Sequence, residues 1–184
     1  MGIKDNNQNY GRVSRVLHWG MALLLLWQFL SAAAHFFFDD TAIEAFFWPS
    51  HKPMGLLLFV LIIIRIIWAL MNVSNRPPSI NWLARLGHIT LYLLLLAIPA
   101  LGLLRQYGSG RSFEVFGMTI FKGFEGDKIQ WTLDLGGLLH GELGWLLLAL
   151  AIGHTIMSYW HKRSKSTAHV FTRMWGRKSK NLMD

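Results

Sequence analysis

The chain has 184 residues, 53% of them hydrophobic, with 18 Lys/Arg against 10 Asp/Glu and no cysteine. Apolar residues gathered into long runs exclude an ordinary soluble domain and indicate a membrane protein, read as one domain over 1–184. The missing cysteine excludes disulfides, thiolate-held iron–sulfur clusters and haem attached through a Cys-x-x-Cys-His motif. The net charge of +8 lies in the loops and tail of this apolar chain, where membrane topology accounts for it, so no nucleic-acid partner is expected.

In chain order, residues 1–12 are polar. A first span is expected over about 14–38, with Ser14 as a cap, Trp19 at the interface, His18 on the first turns and His35 near the far end. It lacks a small-residue cleavage motif and is read as a retained span, not a signal peptide. The segment 39–50, rich in acids and aromatics, reads as a short interfacial connection. A second span is expected over 51–71, opened by His51, with Pro53 tolerated in the first turn and Arg65 near the other end. The loop NVSNRPPS follows. A third span over 82–104 carries His88 near its start and Pro99, a kink position, near its end. Residues 105–137 mix glycines, aromatics and charges and read as an ordered surface loop with a brief strand. The fourth span, 138–161, is followed by a basic tail, 162–184, in which Phe171, Met174 and Trp175 are placed on the membrane surface.

Four spans put both termini on one side. The terminal segments, the second-to-third connection and the flanking turns hold twelve of the Lys/Arg and two of the acids; the other side holds five Lys/Arg and eight acids. The positive-inside rule then places both termini in the cytoplasm.

The fourth span organises the chemistry. His140 and His154 are fourteen residues apart, which returns them to nearly one face, offset by roughly 40°, and separates them by roughly 21 Å in depth. An imidazole in lipid needs a partner, and haem iron is one. Topology supplies depth-matched histidines: His51 with His140 on the outer side, His18 with His154 on the inner side. The fold expected is therefore an all-α, four-transmembrane-helix bundle enclosing two noncovalent b-type haems. His35 competes for the outer site, His88 for the inner one. His161, seven residues beyond His154, is a candidate quinone contact or an interfacial anchor. Arg65 is matched with a haem propionate, the alternative being lipid phosphate. Lys52, Arg105, Arg111, Lys122 and Lys128 are candidates for holding the outer propionates or attracting a small anion, a signal diluted by the acids on that side. Gly55, Gly141, Gly144 and Gly153 are candidates for close helix or haem approach.

These residues resemble the bacterial cytochrome b561 family, and most closely its stand-alone members described as superoxide:ubiquinone oxidoreductases, or superoxide oxidases. The resemblance covers about 12–165 and rests on SRVLHWG, SHKPMGLLLFVLIIIRIIW, LARLGHITLYLLLLAIPALGLL, YGSGRSFEVFGMTI and LLHGELGWLLLALAIGHT in this order and spacing. It implies that His18 and His154 bind one haem b and His51 and His140 the other. It also implies that Arg65 is a retained arginine, that His161 belongs to the quinone region, and that the third span gives no axial ligand. The activity implied is electron transfer from superoxide to ubiquinone across the bacterial inner membrane. Two alternatives stand beside it: a cytochrome b subunit linking a hydrogenase or dehydrogenase partner to the quinone pool, and a haem-free transporter lined by the same polar groups.

Overall fold

The computed structural model describes residues 2–163 and 168–175. Four of its helices are long and apolar enough to cross a bilayer. They are α1 (Arg12–Phe37), α3 (His51–Met71), α4 (Trp82–Gly108) and α5 (Gln130–Arg163), running alternately up and down as a bundle. The shortest, α3, has 21 residues and spans about 32 Å at 1.5 Å per residue, enough for a hydrocarbon core of about 30 Å. Their apolar side chains are mostly exposed, among them Leu23, Leu26, Ile64, Ile67, Leu93 and Ile156. In lipid such faces need no cover, and helix association rests on close packing instead. Two small cores provide it: Met21 with Leu58 and Ile62, and Leu94 with Ile98 and Leu147.

The expected starts and ends hold for α1 and α3. At α4 the helix continues through Pro99 and runs one turn beyond the expected end, to Gly108. At α5 it begins eight residues early. The reason lies at Gly136, where an added Cβ would lie 2.6 Å from Arg105 Cβ and 3.0 Å from Leu101 O. The glycine lets α5 press against α4; it does not end a loop. The same contact recurs at Gly108, where an added Cβ would meet Thr132 Cβ at 2.9 Å.

The connection at 39–50 is more ordered than expected. It forms α2 (Ala42–Phe47) and a 3-10 turn (Trp48–Ser50) leading directly into α3. Thr41 and Glu44 have the spacing of an N-terminal capping pair: Thr41 Oγ1 accepts from Glu44 N at 3.5 Å, while Glu44 Oε2 accepts from Asp40 N at 2.8 Å. Between α4 and α5 the brief strand is a hairpin, β1 (Phe113–Val115) and β2 (Met118–Phe121). Its two-residue turn, Phe116–Gly117, has positive φ at both positions (54° and 75°), the geometry that suits the twist of a hairpin.

At the terminal end, residues before α1 fold over the bundle. Asp5, its side chain fully buried, accepts from Gly11 N (2.8 Å), from Ser14 Oγ (2.6 Å) and from Arg76 Nε (3.0 Å). Ser14, buried, also accepts from Trp68 Nε1 at 2.9 Å; its expected role as the cap of α1 is taken by Gly11. Tyr10 lies against the Arg76 guanidinium, and burial raises its phenol pKa above the ordinary value, keeping it neutral. Within the expected tail, α6 (Ala168–Trp175) packs back on this end: Met174 O accepts from Trp19 Nε1, and the rings of Trp19 and Trp175 are 5.4 Å apart. Residues 164–167 and 176–184 of the tail, and the side chain of Phe171, lie outside the described residues.

Candidate functional site: two pairs of histidines

At the hairpin end, the first turn of α3 and the first third of α5 bring His51 and His140 together, ring centroids 6.1 Å apart and planes at 71°. Two imidazoles facing one another across a metal, each bonded at about 2.0 Å and each with its nitrogen about 1.1 Å from the ring centre, have centroids about 6.2 Å apart. The spacing therefore fits a shared ion.

The proton positions fit as well. His140 Nδ1 lies 2.8 Å from the carbonyl oxygen of Ile98, which only accepts, so Nδ1 carries the proton and Nε2 keeps its lone pair. His51 Nδ1 lies 2.8 Å from Ser31 Oγ. That hydroxyl donates its one proton to Gln28 O at 2.8 Å, so it accepts from His51, and His51 Nε2 is likewise free to ligate.

Around this pair lies a cavity of about 860 Å³, within the range of small-molecule and cofactor sites. Gly55, Gly102, Gly141 and Gly144 line it. Gly102 leaves space for the His140 ring itself, since an added Cβ would lie 2.9 Å from His140 Cε1. Gly141 and Gly144 have nothing within 4 Å of where a Cβ would be. A large flat group held between the two rings fits this cradle.

The charges divide in a way composition does not reveal. Lys52, Arg105, Arg111 and Lys128 line the cavity, and among the described residues no Asp or Glu does. The acids that diluted the expected cationic signal lie elsewhere on the same end. Lys122 is absent from the lining as well. Lys52 Nζ is held by Gln106 Oε1 at 2.9 Å, and Arg111 Nε by Ser109 Oγ at 3.3 Å.

At the terminal end, α1 and α5 bring His18 and His154 to a centroid distance of 6.3 Å, again at 71°. Arg65 from α3 donates to His18 Nδ1 at 3.0 Å and to Tyr92 Oη at 3.0 Å. As an acceptor, His18 Nδ1 leaves the neutral ring's proton on Nε2. Ligation through Nε2 requires the opposite tautomer, and Arg65 must then release this ring. Arg65 thus contacts this pair through His18.

His88 also reaches His154, at 5.4 Å. That is nearly 1 Å short of the separation for two rings facing one another across a metal, so in that arrangement spacing favours His18. His35 does not join the other pair. Its Nδ1 is 2.5 Å from Glu44 Oε1 and its ring stacks on Trp48 at 3.9 Å. His161 is half-buried, seven residues along α5 from His154 and so about 10 Å further toward the terminal end.

Ser31, Gly102 and the Ile98 carbonyl escaped the sequence reading. Ser31 and Gly102 have common residue types for a membrane span, and a backbone carbonyl has no sequence signal at all.

The sequence profile described as prokaryotic cytochrome b561 matches residues 9–177. The chain is similar to cytochrome b561 homolog 2 of Escherichia coli (strain K12), 30% identical over 174 residues, which is 88% of each chain. It is also similar to the protein named "Probable superoxide oxidase CybB" of Yersinia pestis, 27% identical over 119 residues, 61% of this chain and 66% of that one.

Proposed function

The chain belongs to the prokaryotic cytochrome b561 family, and from that premise we propose that it is a di-haem oxidoreductase that takes electrons from superoxide on the periplasmic side and reduces ubiquinone. In this reading it is a multi-pass protein of the bacterial inner membrane with both termini in the cytoplasm. His51 and His140 hold one haem b, His18 and His154 the other. Two superoxide anions give up one electron each and leave as oxygen; two electrons and two protons convert ubiquinone to ubiquinol.

Bound haem b supplies a one-electron Fe(III)/Fe(II) couple. The rest is done by the chain. His51 and His140 offer paired Nε2 atoms whose Nδ1 protons are fixed by Ser31 and Ile98. Were both rings to ligate, they would occupy the metal from the protein side, and a small donor would be received by the cavity wall of Lys52, Arg105, Arg111 and Lys128. Arg65, facing the inner pair, is available to an anionic propionate once it releases His18. His161, at the cytoplasmic boundary, is the candidate group for passing a proton to the quinone.

The observation that carries the donor is the charge of the cavity wall: four cations and no carboxylate around the His51–His140 pair. Such a wall concentrates a small anion and repels a basic protein surface, which supports an anionic donor over a neutral or cationic one. The name of the Yersinia pestis relative agrees with that choice.

The test is quinone-dependent consumption of superoxide by purified protein, measured under conditions that separate it from spontaneous dismutation, with haem counted by pyridine haemochrome. About two haems per chain and quinone-dependent acceleration support the reading. Two haems with no acceleration reject the superoxide reaction and leave an electron-carrying subunit, for which a co-purifying hydrogenase or dehydrogenase is the positive sign. No haem rejects both.

A further inference from the structure

Beside the cavity, at the C-terminal end of α1, stands a second group of metal-binding side chains. His35 Nδ1 lies 2.5 Å from Glu44 Oε1 and 4.0 Å from Asp39 Oδ1, and one donor atom from each of the three residues falls within 4.8 Å of the others. We propose that His35, Asp39 and Glu44 form a binding site for a divalent transition cation of the zinc type, separate from the histidine pairs. The proposal does not rest on the haem reading.

The donor set decides the class of ion. One imidazole nitrogen with two carboxylates suits zinc and its neighbours, whereas calcium and magnesium take oxygen ligands almost alone. Three protein donors leave a fourth position to water.

Local structure holds the donors before any ion arrives. His35 and Asp39 are four residues apart where α1 ends. The His35 ring is fixed by its stack on Trp48, with centroids 3.9 Å apart and planes at 10°. Glu44 is fixed by its second oxygen, Oε2, which accepts from Asp40 N at 2.8 Å, so that Oε1 is turned to His35. Asp39 is the adjustable member, its side chain 71% exposed. Around a tetrahedral ion with bonds of about 2.0 Å the donors stand about 3.3 Å apart. The His35–Glu44 contact must open by under 1 Å and Asp39 must close by a similar amount, both within reach of side-chain rotation.

The place gives the site a consequence. His35 lines the same cavity as His51, and Trp48 touches both rings, at 3.9 Å and 4.7 Å. A bound dication cancels the two carboxylates beside His35, which lines the cavity, and so weakens their pull on its cationic wall.

The experiment is isothermal titration of the full-length protein as purified in detergent with zinc alone, repeated on His35→Gln and Glu44→Gln. The other histidines contribute background, so the readout is the difference. Wild type should bind one more zinc than either variant, or bind that zinc at least about tenfold more tightly. X-ray absorption of the one-zinc form should show a single nitrogen with oxygen neighbours. Equal stoichiometry and affinity in all three proteins overturn the proposal, as does displacement of the zinc by an equal concentration of calcium. An unchanged far-ultraviolet circular dichroism spectrum and thermal midpoint in the variants show that the fold is kept; if His35→Gln alters them, Glu44→Gln alone decides.

Discussion

The substitution Gly102→Ala is the sharpest probe of the candidate site. Its new methyl would lie 2.9 Å from His140 Cε1 and 3.1 Å from His140 Nδ1. An ordinary carbon–carbon contact needs about 3.6 Å or more, so the ring must retreat by roughly 0.7 Å. It is tied by its 2.8 Å bond to Ile98 O, on the same turn of α4 as the new methyl. Retreat therefore strains or breaks that bond. Overpacking costs about 1–3 kcal/mol and the lost hydrogen bond about 1 kcal/mol. Alanine returns about 1 kcal/mol through helix propensity. The net loss of stability is about 1–3 kcal/mol, modest for the fold but concentrated on one ligand. Purified Gly102→Ala should retain the bundle yet lose most of one haem, matching His140→Ala in pyridine haemochrome count and reduced spectrum. Gly20→Ala, at an exposed position with nothing within 4 Å, is the control and should keep wild-type haem content. If Gly102→Ala binds as much haem as that control, with the same spectrum, the claim that this glycine makes room for a ligand is wrong.

Further outcomes follow from other contacts. Ser31→Ala removes the acceptor for His51 Nδ1–H, making the imidazole a poorer donor, so the midpoint potential of the haem at that pair should rise while the other stays fixed in a redox titration. Asp5→Ala leaves Arg76, Ser14 and Gly11 without their shared acceptor; since Arg76 is 22% exposed, the loss should be limited to up to about 3 kcal/mol, read as a lower thermal midpoint in detergent. Arg111→Gln should slow superoxide consumption several-fold at low ionic strength, and the gap to wild type should close as salt is added; a gap independent of salt would mean the arginine acts by contact and not by its field.

Much of this was legible beforehand, for a physical reason. Period and length announce a membrane helix, and a histidine's position along a span fixes its depth, so His18, His51, His140 and His154 can be paired without coordinates. Depth says nothing of what lies across the bundle. Ser31 acts through His51 on another helix, and Gly102 through His140 thirty-eight residues away. Gly136 misled because glycine serves turns and tight packing alike, and only the Leu101 carbonyl and Arg105 side chain opposite show which. The short helix α2 was readable in part: Thr41 and Glu44 carry a capping spacing that the aromatic, acidic composition of the segment obscured. The cationic wall was not readable, since it depends on Lys52 of α3, Arg105 and Arg111 beside the hairpin, and Lys128 before α5 converging while eight acids on that end point elsewhere.

Asp5 finds Arg76 seventy-one positions later in the chain, and Ser14 finds Trp68 fifty-four positions later. During synthesis the leading segment thus emerges long before the residues that hold it exist. It has no fixed place until the ribosome has delivered the turn that follows α3. The segment folded over that end is consequently among the last features to lock during biogenesis, and a molecule truncated before Arg76 is left with a carboxylate that keeps its donors from Gly11 and Ser14 but lacks its arginine.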